Sequence, residues 1–145
     1  GVTGVIFVAA LSGYDEFLFE DESTNRMVEA ISLFSETINS KYFAKMSLIL
    51  FLNKNDLFAS KIRTSHIGDV TEFSDYRGAP NDYEDGVQYF LNRFMECNSN
   101  PEERDIYHHV TNATNSSNIS FVLSACKEIV LRDNLHLSGL DMDGI

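Results

Sequence analysis

Val5-Ile6-Phe7-Val8-Ala9-Ala10 is a continuous apolar run, too short for a helix and rich in β-branched residues. Such a run suits a strand covered on both faces, as in a parallel sheet. Ser47-Leu48-Ile49-Leu50-Phe51-Leu52 has the same character, and Ile106-Tyr107-His108-His109-Val110 is a weaker third example. Helical patterns lie between and after these runs. Met27, Ile31, Phe34 and Ile38 recur at helical spacing behind Ser23 and Thr24, which predict the N-cap. Val87, Phe90, Leu91 and Phe94 form a second stripe behind Asn81 or Asp82, and Ile119, Val122, Leu123, Cys126, Ile129 and Val130 form a third, ending near Asn134. A short helix is expected around Leu57–Ile62, and the stretch from Arg63 to Pro80 reads as the longest irregular loop. Strands alternating with helices imply right-handed crossovers and a parallel sheet with helices on both faces. The expected fold is therefore an α/β unit of three strands and about four helices.

At 145 residues the chain fits one domain. Eleven Lys and Arg face 22 Asp and Glu, a net charge of −11. So acidic a surface repels phosphate backbones, and the basic residues are scattered from Arg26 to Arg132, which argues against nucleic acid as a partner. Cys97 and Cys126 have neither CxxC spacing nor a metal-ligand companion and read as reduced thiols. Three N-x-S/T triplets begin at Asn112, Asn115 and Asn118. They would accept glycans only in a secreted protein, and turns rich in Asn, Ser and Thr produce such triplets by chance. The apolar opening Gly1–Leu11 is too short to span a membrane and lacks the basic leader of a signal peptide. Its start without Met leads to the expectation that the chain begins inside a longer protein.

Open α/β sheets bind ligands beyond the carboxyl ends of their strands. Asn53-Lys54-Asn55-Asp56 follows the second expected strand, and Thr111-Asn112-Ala113-Thr114 follows the third. Asn53, Lys54 and Asp56 match the N-K-x-D pattern of guanine-nucleotide-binding proteins. A carboxylate at Asp56 can accept from guanine N1–H and from the exocyclic amino group together, whereas adenine would leave it unpaired. The Lys54 stem can lie on the purine face, Asn53 can tie the two loops together, and the Ala113 backbone N–H can face guanine O6. Alone, four such residues are a weak motif and read first as a turn with a helix cap. Their place after an apolar strand, with a second polar loop in the corresponding position, favours the nucleotide reading.

Longer stretches sharpen it. Phe7–Met27, with Gly13-Tyr14-Asp15, Glu20-Asp21-Glu22 and Asn25-Arg26-Met27, closely resembles the strand and acidic loop of heterotrimeric G-protein alpha subunits. Leu50–Phe58 resembles their guanine-specificity segment, Ile106–Thr114 their last strand and T-C-A-T loop, and Asn118–Leu140 their final helix and tail. The resemblance implies a P-loop-NTPase-like parallel sheet with flanking helices, of which residues 1–145 form the C-terminal half of a Ras-like guanine-nucleotide-binding domain. It implies GTP and GDP as ligands, with Mg2+ in the complete protein, and GTP hydrolysis there. Partners implied are beta/gamma subunits, effector enzymes, and a G-protein-coupled receptor engaged by Leu135 to Leu140. The implied location is the cytosolic face of the plasma membrane. Departures are Asn112 for the usual Cys, Asn115 for a frequent Asp, Ser138 for a tail Cys, and the extension Asp141–Ile145. The 145 residues contain no GxxxxGK[ST] phosphate loop and no D-x-x-G-Q segment, so catalytic residues and metal ligands are not expected among them.

Other features carry less. His108 and His109 alternate across a strand and cannot chelate one metal together. Asp141-Met142-Asp143-Gly144 begins like a calcium loop without its remaining ligands. Asp15–Glu22 is either a solvated charge run or, as the resemblance implies, a loop that answers to bound phosphate. Two further functions stay open at this stage: a truncated noncatalytic module competing for receptor or effector surfaces, and a secreted glycoprotein.

Overall fold

The computed structural model describes residues 4–111 together with the helical positions Ser124 and Lys127. Three parallel strands form one sheet: β1 (Gly4–Ala10), β2 (Ser47–Asn53) and β3 (Ile106–Val110), in the order β1-β2-β3. Register runs from Gly4 opposite Ser47 to Ala10 opposite Asn53, and from Leu48 opposite Ile106 to Leu52 opposite Val110. Parallel neighbours need crossovers. The first contains α1 (Arg26–Ile38), and the second contains α2 (Asn55–Lys61) and α3 (Tyr83–Met95).

β2 is the central strand among the described residues, and Ser47 through Leu52 are all buried. Its Leu48, Leu50 and Leu52 join Val5, Phe7 and Ala9 of β1 in one core with the apolar stripes of the three helices. Phe34 of α1 meets Phe7 edge-on at 5.2 Å and Phe94 of α3 at 5.3 Å. Phe58 of α2 sits edge-on to Tyr14 at 5.4 Å, and Phe90 of α3 to Phe73 at 5.1 Å. Each such buried aromatic contributes roughly 1.5–3 kcal/mol by leaving water. On the opposite face Ile49 and Phe51 are also buried, and Phe51 stacks on His109.

Four local expectations need correction. β1 is not covered on both faces: Val5, Phe7 and Ala9 meet the core that the helices share, while Ile6 and Val8, on the other face, are 48% and 58% exposed. The N-cap of α1 is Asn25, not Ser23 or Thr24. Its Oδ1 accepts from the Met27 and Val28 amides, while Ser23 and Thr24 turn their hydroxyls to Asp21. The short helix begins at Asn55 rather than near Leu57. The stretch after Arg63 is not an irregular loop throughout. It winds into 3-10 turns at Ile67–Asp69 and Thr71–Phe73, so that Ile67, Phe73 and Tyr76 enter the core. For α3, Asp82 is the cap, accepting from the Asp85 amide. Ser124 and Lys127 are exposed helical positions within the expected third stripe, whose remainder lies outside the described residues. No helix among the described residues is long and apolar enough to cross a membrane.

Candidate functional site

Asn53 is the last residue of β2 and is half-buried. Lys54 then takes φ 57°, ψ 42°, a left-handed conformation uncommon for a residue with a side chain. That single residue ends the strand and starts α2, and its carbonyl accepts from the Phe58 amide at 3.0 Å. Asp56 is thereby held in the first turn of α2, exposed at the carboxyl end of the central strand. A residue so confined persists only where its surroundings determine it, and such positions cluster at ligand sites. Beside it, the Thr111 amide donates to the Leu52 carbonyl at 2.8 Å, bringing the chain that leaves β3 against the end of β2. Asn53, Lys54 and Asp56 thus share one turn, and Thr111 lies beside the strand end that precedes it. Ala113 itself, like Asn112 and Leu135 to Leu140, lies outside the described residues.

A cleft of about 260 Å³ opens beside this turn, between the end of β1, the start of α1 and Lys54. Ala10, Ser12, Gly13 and Leu57 give it small or apolar walls, with Glu16, Arg26 and Lys54 as charged groups. Lys54 borders it, and Asn53 and Asp56 do not. Among the described residues no three His, Cys, Asp or Glu side chains converge to hold a metal ion.

A polar cluster behind the turn has no signal in the sequence. At the far end of α2, the Lys61 ammonium donates to the Ser12 carbonyl at 2.7 Å, to Asp15 Oδ1 at 2.8 Å and to Glu16 Oε2 at 2.7 Å. Ser65 Oγ donates to Asp15 Oδ2 at 2.7 Å, and the buried Tyr14 hydroxyl donates to the Ser65 carbonyl at 2.5 Å. Burial alone would lower the Lys61 pKa, but the hydrogen bonds and charges of Asp15 and Glu16 carry it above the ordinary lysine value. Burial raises that of the Tyr14 phenol. The acidic segment is folded rather than a plain solvated run. Arg26 N–H bonds the Glu16 carbonyl at 2.8 Å and Leu18 N–H the Thr24 carbonyl at 2.9 Å, closing a loop with Phe19 fully exposed at its tip.

The family profile described as G-protein alpha subunit matches residues 1–130. The chain belongs to the G-protein alpha subunit family. It is 47% identical to the guanine nucleotide-binding protein alpha-1 subunit of Mycosarcoma maydis and 46% identical to a guanine nucleotide-binding protein subunit alpha of Cochliobolus heterostrophus. The guanine nucleotide-binding protein alpha-17 subunit of Caenorhabditis elegans is 42% identical. Each match covers 96% of this chain and 38% of the relative, so the chain spans well under half the length of the curated relatives it matches. The parallel sheet with flanking helices agrees with the fold expected from the resemblance.

Proposed function

We propose that this alpha-subunit chain supplies the guanine-reading part of a GTP/GDP-switched signal transducer. The observation that carries the reading is the Lys54 turn, which sets Asp56 in the first turn of a helix directly beyond the central parallel strand. Asp56 reads the base by accepting from guanine N1–H and the 2-amino group. Lys54 lays its stem along the purine, Asn53 holds the turn to the segment after β3, and the Ala113 amide meets O6. Family membership and the N-K-x-D sequence support the same assignment. In the full-length protein GTP hydrolysis, with Mg2+, is the work of groups outside these residues. Beta/gamma subunits, a receptor at Leu135 to Leu140 and effector enzymes at the cytosolic face of the plasma membrane complete the proposal.

The test is Asp56→Asn in the full-length protein that carries these residues, with GDP titrated against XDP. The substitution removes one acceptor and sets a donor against a donor. A bidentate base contact is worth about 1–3 kcal/mol, so GDP affinity should fall by roughly five- to more than a hundredfold. XDP, whose C2 carbonyl accepts from the new amide, should gain. An unchanged preference for GDP would remove Asp56 from the base site.

A further inference from the structure

α2 carries a different element at each end. Its first turn contains Asp56, and its last residue, Lys61, places its ammonium at the neck of the acidic loop. Glu16 is held at three points there: its carboxylate by Lys61 and, more loosely at 3.6 Å and exposed to solvent, by the Arg26 guanidinium, and its carbonyl by the Arg26 amide that closes the loop. All three Lys61 N–H donors are used, and its side chain is only 21% exposed. Seven helical residues form a rod of about 10 Å between the two ends. Phe58, fully buried against Tyr14 and Phe90, prevents that rod from sliding alone.

We propose that Lys61 is a positioning residue that makes the base-reading turn and the neck of the acidic loop move as one body, so that occupancy at Asn53–Asp56 is transmitted to Leu18–Thr24. The inference rests on the guanine reading above. Displacement of the Lys54 turn shifts α2 along its axis. The Lys61 ammonium must then either carry Asp15 and Glu16 with it or leave three hydrogen bonds unmade in a mostly buried place, which is costly. Linkage is reciprocal: whatever holds the acidic loop tightens the base-reading turn.

The experiment is amide hydrogen exchange at Leu18, Thr24 and Arg26 in the full-length protein, with and without saturating GDP. In the unsubstituted protein GDP should slow these amides by about fivefold or more, the lower end of ordinary coupling between sites. Lys61→Met keeps the stem and removes the ammonium; GDP should then protect the base turn but no longer the loop. Lys61→Arg should restore part of the transmission. The pair Asp15→Asn with Glu16→Gln tests the same contact from the other side and should also uncouple the loop, whatever the folding of the Lys61 variants. A simple loss of stability would lower the thermal midpoint without abolishing the GDP-dependent difference. Protection of the loop by GDP in Lys61→Met or in the Asp15/Glu16 pair would overturn the proposal and leave the guanine reading intact. Failure of the unsubstituted protein to bind GDP would overturn both.

Discussion

Gly86 lies in α3 where that helix crosses α2, and a methyl group there has nowhere to go. A Cβ built at Gly86 would come within 2.7 Å of Ile62 Cδ1, 2.9 Å of Phe58 Cζ and 3.1 Å of Ile67 Cδ1. The two isoleucine ends can rotate away. The phenyl ring cannot do so easily, since Tyr14 and Phe90 hold it on two sides. Gly86→Ala should gain up to about 1 kcal/mol from helix propensity. Against this stands an overpacking cost of about 1–3 kcal/mol. With three contacts to relieve, the upper part of that range applies, and a net loss of about 1–2 kcal/mol is expected. At about 4 °C per kcal/mol for a chain of this size, the thermal midpoint should drop by about 4–8 °C. Urea unfolding should show the lower midpoint with an unchanged slope. Adding Ile62→Val, which deletes the nearest methyl, should recover part of the loss, so that the double substitution costs less than the sum of the two. A Gly86→Ala protein as stable as the parent would mean that the α2–α3 crossing has slack, and the rigidity assigned to Phe58 would be refuted.

Asn25→Ala removes an acceptor for two α1 amides and the donor to the Tyr14 carbonyl. Loss of the cap and an orphaned buried carbonyl should together cost about 2–3 kcal/mol, while Ser23→Ala and Thr24→Ala should each change the unfolding free energy measured in urea by less than about 0.5 kcal/mol. Stability should also fall in alkali. Lys61, Tyr14 and Tyr89 all have raised pKa values in the fold, Tyr89 pushed up to about 12 by burial and by its bond to Asp75. A raised value favours the protonated form in the folded state, so the contribution is complete below the unfolded pKa near 10 and is lost as pH rises through the folded one. Urea midpoints should be level to about pH 9.5 and decline above pH 10, with a shallower decline in Tyr89→Phe; identical slopes would exclude Tyr89 as a source.

The elements most legible in the sequence were those fixed by apolar burial. The runs at Val5 and Ser47 became β1 and β2, and the Phe34 and Phe90 stripes became α1 and α3, because period alone decides which face meets the sheet. Caps were less legible. Ser23, Thr24 and Asn25 are all capable acceptors, and only the antiparallel bridge between Phe17 and Asn25, with Asp21 engaging the two hydroxyls, selects Asn25. In the site, Asn53, Lys54 and Asp56 were readable because they are consecutive in one turn. Lys61 was not, since its partners Ser12, Asp15 and Glu16 precede it by nearly fifty residues and meet it only through the β1–β2 crossover. The turns at Ile67 and Thr71 escaped for a similar reason: their buried residues follow no period and are placed by contact with α3.

The parallel pairing of β1 with β2 also sets a timetable. Among the described residues β1 pairs with β2 alone, beginning with Gly4 opposite Ser47, so the apolar strand Val5–Ala10 is made long before this neighbour. At about 5–20 residues per second, a ribosome needs roughly 2–9 s to cover the interval. It needs longer again before Ile106 gives β2 its second neighbour. For that time Ile6, Phe7 and Val8 lack the β2 edge that they pair with among the described residues, while helix α1 can already coil behind them. Slow codons between Asn39 and Ser47 would prolong the exposure, and a chaperone that shields short apolar strands during translation would shorten its consequences. The pacing of translation across this crossover should therefore affect the yield of folded protein.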